Sequence, residues 1–133
     1  MHLPASHDQP RRVLIVDDDE DFLTTLADLL RHYGHEVLAV GTGEAALAAT
    51  QDWVPHLVLL DLAMPGLNGY DTALALRADA RLHDTMIVAV SGFGSHEERD
   101  RAAAADIDLH LVKPISLDEM ERVLALTGRR PAR

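Results

Sequence analysis

The stretch His56-Leu57-Val58-Leu59-Leu60-Asp61-Leu62-Ala63-Met64-Pro65-Gly66-Leu67-Asn68-Gly69 decides how this chain folds. An apolar run from Leu57 to Leu60 leads straight into Asp61, and a Pro/Gly-rich loop follows. Bounded by Pro55 and Gly66, that run reads as a strand buried on both faces. Asp61 then stands where a central strand leaves the sheet, the edge at which open α/β sheets place their ligands. A carboxylate there is either a functional group or a cap on the loop. The rest of the chain chooses between them.

Working outward, four more short apolar runs read as strands: Val13 to Val16, Glu36 to Val40, Met86 to Val90 and His110 to Val112. Helical patterns lie between them. Phe22, Leu26, Leu29, Leu30 and Tyr33 form one stripe at helical spacing, and Gly34 stops the helix. Leu23 and Ala27 widen that stripe, which is read as extra core contact in preference to a docking face for a partner helix. An alanine-rich helix is predicted from Gly43 to Asp52, ahead of Pro55, and a third from Tyr70 to Asp79. Ser95-His96-Glu97-Glu98 is a capping box opening a fourth helix through Ala105. Ser116-Leu117-Asp118-Glu119 opens a fifth, which runs to about Thr127 with Gly128 as its stop. Five strand–helix alternations with short connections imply a parallel sheet with right-handed crossovers and helices on both faces. The fold class is doubly wound α/β.

Size and charge narrow the function. At 133 residues the chain is one domain, with residues 1–10 a loose leader, 11–128 the domain and 129–133 a tail. It has no cysteine, hence neither disulfides nor a thiolate metal site. No apolar run reaches the ~18 residues of a membrane helix, so a cytoplasmic protein without membrane contact is expected. A net charge of -10 argues against nucleic acid as a direct partner. Among the 12 basic residues a single one, Lys113, is lysine, which suggests a position needing a compact ammonium. The other histidines besides His110 fit no metal-binding spacing and read as surface residues.

The strand ends gather chemistry on one rim. The first strand delivers Asp17 and Asp18, the third Asp61, the fourth Ser91 and the fifth Lys113. Carboxylates converging there repel one another unless a cation joins them, and a hard divalent ion, Mg²⁺ (or Mn²⁺), suits oxygen ligands. With an ammonium and a hydroxyl alongside, the site offers three partners to a phosphoryl group. Asp61, ionised at neutral pH given an ordinary pKa of about 3.9, is then placed as a nucleophile needing no general base.

Val-Leu-Ile-Val-Asp17-Asp18, Leu-Leu-Asp61-Leu-Ala-Met-Pro-Gly, Val-Ser91-Gly and Val-Lys113-Pro114 resemble the receiver domain of two-component response regulators, of the chemotaxis-receiver kind. Order and spacing both match, with 43 residues from Asp18 to Asp61, 30 on to Ser91 and 22 on to Lys113. The resemblance implies a flavodoxin-like (βα)5 three-layer sandwich with strand order 2-1-3-4-5. It implies that Asp61 accepts phosphoryl from a sensor histidine kinase or a histidine phosphotransfer protein. By the same carry-over Asp18, Asp61 and the backbone carbonyl of Ala63 ligate the metal, and Asp17 holds a metal-bound water. Lys113 pairs with Asp61 and then with the phosphate, Ser91 bonds a phosphate oxygen, and Lys113-Pro114 is cis. Ala63 and Phe93 occupy positions that tune phosphate lifetime in the family.

His110 stands three residues before the lysine, where the family usually carries an aromatic that switches with Ser91. Histidine departs from that pattern and titrates near pH ~6.5, so output is expected to be pH-sensitive. The functional expectation is a regulatory phosphoacceptor, not an enzyme. It would be a single domain with no DNA-binding output, acting on a downstream protein target or as a homodimer through the fourth helix, fifth strand and fifth helix. The alternatives are a receiver module of a hybrid histidine kinase, an aspartyl-phosphate phosphatase and a phosphorylation-independent scaffold. A haloacid-dehalogenase-like phosphatase carries a second aspartate two residues after the first, where this chain has Ala63.

Overall fold

The structure, a computed structural model, describes residues 10–63, 68–92, 100–101 and 103–127. In chain order these form β1 (Arg12–Val16), α1 (Glu20–His32), β2 (Glu36–Val40), α2 (Gly43–Ala49), β3 (Leu57–Asp61), α3 (Gly69–Arg77), β4 (Met86–Ser91), β5 (Leu109–Val112) and a C-terminal helix (Leu117–Leu126). The strands are parallel and lie in the order β2-β1-β3-β4-β5. The doubly wound α/β class and the 2-1-3-4-5 order both hold.

The reason is visible in the strand sequences. Every residue of β3 and β4 is buried, as a parallel strand covered on both faces requires. Alternate residues then face opposite layers. Val13, Ile15, Leu57, Leu59, Met86, Val88 and Val90 pack with Leu26, Ala27 and Leu30 of α1 and with Met120, Val123 and Leu124 of the C-terminal helix. Leu14, Val16, Val58, Leu60, Ile87 and Ala89 pack on the other side with Ala46 of α2 and Tyr70, Ala73 and Leu76 of α3. Ala27 is 2% exposed and Leu23 packs on the same core, so the wide stripe of α1 is core contact.

Local signals set the element ends. Asp19 caps α1, accepting the N–H groups of Asp21 and Phe22, and Gly34 leaves the helix at φ +92°. Ser116 and Glu119 form the full capping box of the last helix. Its Gly128 stop, the fourth-helix cap Ser95 to Glu98, the leader residues 1–9 and the tail lie outside the described residues. Helix α2 ends at Ala49, short of the predicted Asp52, because the Thr50 hydroxyl and the Gln51 amide both donate to the Leu47 carbonyl and close the last turn. Helix α3 ends at Arg77, and Asp79 caps a separate 3-10 turn, Ala80–Leu82.

Two features were not foreseen. His35 is buried and His56 half-buried, which corrects the surface reading of both. Their Nδ1 atoms accept the backbone N–H groups of Arg11 (3.1 Å) and Arg12 (2.8 Å), pinning the start of β1. Burial, followed by the charges of Arg12 and Arg11, lowers the His56 pKa, which keeps that acceptor unprotonated. Arg77 donates to Asp108 Oδ2 (2.6 Å) and to the carbonyls of Thr85 (2.7 Å), Asp106 (2.9 Å) and Leu82 (3.1 Å). It thereby ties α3 to the starts of β4 and β5.

Two substitutions test this architecture. A Cβ at Gly69 would overlap the Asp61 carbonyl oxygen and lie 2.5 Å from Leu62 Cα, backbone that cannot yield. Gly69→Ala is therefore expected to cost about 2–3 kcal/mol in urea unfolding. Arg77→Met leaves Asp108, with 8% of its side chain exposed, without its charge partner, and the expected loss is about 3–5 kcal/mol.

Candidate functional site

The register of the sheet assembles the site. Val16 pairs with Leu60, so Asp17 and Asp61 leave adjacent strands side by side. Asp61 pairs with Val90 and Ser91 with Val112, which brings Ser91 and Lys113 to the same rim. Backbone bonds continue past the strand ends, from Asp17 N to Val40 O (3.1 Å) and from Lys113 N to Ser91 O (2.8 Å). Asp61 and Ser91 thus end strands that are paired on both sides, β3 and β4, Asp17 directly follows β1, which is also paired on both sides, and Lys113 directly follows the edge strand β5. Lys113-Pro114 is cis, as the resemblance implied.

Three carboxylates converge here. Asp17, Asp18 and Asp61 each offer one oxygen within 4.8 Å of the other two. An all-oxygen set with this spread fits a hard divalent cation such as Mg²⁺ better than a softer ion. Asp17 and Asp61 are buried, at 1% and 7% exposure, whereas Asp18 faces solvent. Asp61 Oδ1 accepts the Ala63 N–H at 3.1 Å. Burial pushes the Asp61 carboxyl above its ordinary pKa, and the charges of Asp17 and Asp18 add to that. The Ala63 hydrogen bond and Lys113 pull the other way without cancelling it.

Lys113 Nζ donates to Asp17 Oδ2 at 2.7 Å, so the ammonium pairs with Asp17 where Asp61 was expected. The physical reason is burial: the Asp17 carboxylate is the deeper of the two and needs a partner inside the protein. Its other oxygen accepts the Asp19 N–H at 2.9 Å. Burial pulls the Lys113 pKa down, but the Asp17 hydrogen bond and the charges of Asp17, Asp61 and Asp19 outweigh it and raise it. The ammonium stays charged.

Ser91 is 2% exposed, and its Oγ lies 2.8 Å from His110 Nε2. His110 pairs in register with Ala89, on the α3 side of the sheet, so this contact is made across neighbouring strands. Phe93 lies outside the described residues. One neighbour went unread in the sequence. The Phe22 ring, assigned to the apolar stripe of α1, stands with its centroid 4.5 Å from Lys113 Nζ. Its place directly after the acidic run Asp17 to Asp21 was the only available signal.

Comparisons with known proteins agree with this geometry. The model of the response regulator receiver domain matches residues 13–125. The chain is 39% identical over 120 residues to the transcriptional regulatory protein PrrA of Mycobacterium tuberculosis, covering 90% of this chain and 51% of that protein. It is 42% identical over 79 residues to the DNA-binding response regulator MtrA of Mycolicibacterium smegmatis, covering 59% of this chain and 35% of that one. The chain thus spans about half, or less, of the curated relatives it matches. Among solved structures, the chemotaxis protein CheY4 of Vibrio cholerae superposes with a TM-score of 0.84 at 25% identity, over 90% of this chain and 99% of that one. With its sheet order, its rim of carboxylates and a family match over most of its length, the chain belongs to the response regulator receiver domain family.

Proposed function

We propose that Asp61 is the phosphoacceptor of this receiver domain and that its modification switches the domain's protein contacts. Aspartate phosphorylation and magnesium binding are typical of the family. The observation that carries the assignment is the rim itself, where Asp61 ends the central strand within 4.8 Å, oxygen to oxygen, of Asp17 and Asp18. In this reading Asp18, Asp61 and the Ala63 carbonyl hold Mg²⁺, and Asp17 acts through a water. Support for that division comes from Asp17, whose oxygens already accept hydrogens from Lys113 and Asp19. When bound, the cation offsets the negative charge of the carboxylates and of the arriving phosphoryl group.

The transfer needs little covalent chemistry from the protein. An Asp61 carboxylate oxygen attacks phosphorus as the bond from phosphorus to the donor's imidazole nitrogen breaks. The electron pair returns to that nitrogen, and Asp61 becomes an acyl phosphate. Lys113, charged and close by, balances the phosphoryl oxygens, and the Ser91 hydroxyl donates to one of them. To do so Ser91 must share or release its contact with His110, which is how occupancy of the site would reach β5.

The donor in this reading is a sensor histidine kinase or a histidine phosphotransfer protein, and the receiver of the signal is a downstream protein or a second copy of the chain. A net charge of -10 favours a protein over DNA as the direct partner of this domain. The DNA-binding output of MtrA belongs to a protein of which this chain covers 35%. Among the described residues no helix is long and apolar enough to cross a membrane.

Incubation with acetyl phosphate, read by intact mass, tests the assignment. Wild type with Mg²⁺ is expected to gain one phosphoryl group, and wild type with chelator or Asp61→Asn to gain none. No gain in wild type, or an equal gain in Asp61→Asn, would overturn it. For the switch, partner binding by the phosphorylated wild type is expected to vary with pH, and His110→Phe to flatten that profile.

A further inference from the structure

We propose that Phe22 is a positioning residue for phosphoryl acceptance: its ring face holds the Lys113 ammonium against the carboxylate rim. The proposal rests on Asp61 being the phosphoacceptor. Lys113 Nζ lies 4.5 Å from the Phe22 ring centroid and 2.7 Å from Asp17 Oδ2. The ammonium is therefore held between a π face and a buried carboxylate, a geometry in which a cation is attracted to the ring quadrupole.

The cap of α1 places the residue, and the ring borders the groove beside Lys113. Its backbone N–H is bound by the α1 cap, Asp19 Oδ1, at 3.2 Å. Its side chain walls an apolar groove of about 510 Å³ together with Leu26, Leu29, Pro114 and Ile115. The residues that follow Lys113 thus pack near the ring that receives its head group. A lysine on a flexible four-carbon stem, with 26% of its side chain exposed, would otherwise have solvent-directed rotamers open to it. The ring also keeps water from one side of the ammonium, which leaves its attraction for a phosphoryl oxygen less screened. A ring that only filled the groove would be indifferent to the charge on Lys113. That difference is measurable.

Phosphoryl acceptance from acetyl phosphate with Mg²⁺ is compared in wild type, Phe22→Leu and Phe22→Tyr, each first confirmed as folded by thermal melting. Phe22→Leu is expected to be slower by about three- to tenfold, and Phe22→Tyr, which keeps the ring face, to stay within about twofold. In a Lys113→Met background the Phe22→Leu loss is expected to vanish, because the two residues act as one unit. Lys113 is the chain's only lysine, so lysine labelled with ¹³C at Cε gives a single side-chain signal. That signal is expected upfield in wild type and Phe22→Tyr and to move downfield in Phe22→Leu as the ring current is lost. A wild type that takes no phosphoryl overturns the Asp61 assignment and this proposal with it. An unchanged rate in Phe22→Leu, a loss that persists without Lys113, or a lysine signal indifferent to Phe22 overturns the role of Phe22 alone.

Discussion

The parallel register forces like charges together. Once Val16 pairs with Leu60 and Asp61 with Val90, Asp17 and Asp61 must leave the sheet as neighbours, both buried. One backbone N–H on each carboxylate, Asp19 on Asp17 and Ala63 on Asp61, relieves only part of their repulsion. Raising the Asp61 carboxyl above its ordinary value, chiefly through burial and then through Asp17, records that cost in the folded state. The Lys113–Asp17 pair at 2.7 Å offsets part of it. Other features of the rim follow from the need to hold that arrangement: the Asp19 N–H on Asp17, the Ala63 N–H on Asp61, and the Phe22 ring beside the ammonium.

Much of this was legible in the sequence because the relevant signals are local. An apolar run ending in aspartate is a short-range pattern, and so are the two acidic residues after Val16 and the capping box at Ser116. Repeated at the ends of alternating strands, they fix the fold class and put Asp17, Asp18, Asp61, Ser91 and Lys113 on one rim. What stayed hidden depends on contacts distant in sequence. Lys113 chooses Asp17 over Asp61 by relative burial, which no spacing encodes. Arg77 and Asp108 meet across 31 residues, and His35 and His56 find backbone donors in β1. Phe22 serves both as a core residue of α1 and as a neighbour of Lys113, and the apolar stripe announces only the first.

The same scaffold divides stability from function. The two cores above and below the sheet involve none of the charged rim residues, and the Arg77 network lies toward the opposite end of the strands. A metal ion or phosphoryl group bound as proposed would therefore change the charge of the rim without touching the residues of either core. Ser91 and His110 form the one described side-chain link from the rim into β5. In the proposed reading, a change at Asp61 would reach the outer strand of the sheet, β5, through this contact, near the exposed Val112.

The sheet holds the Asp61 charge at a cost, chiefly burial, that a divalent cation bound as proposed would remove. Burial holds the Asp61 pKa above its ordinary value in the folded state. The favourable contribution of that group is full below the ordinary carboxylate pKa and is lost as pH rises through the folded-state value. Urea unfolding at neutral pH, with chelator and then with Mg²⁺, tests this directly in wild type and Asp61→Asn. Asp61→Asn is expected to be the more stable protein in chelator, with an advantage that fades in acid, and Mg²⁺ to stabilise wild type more than the variant. An Asp61→Asn protein less stable than wild type in chelator, with the same response to Mg²⁺, would contradict that expectation.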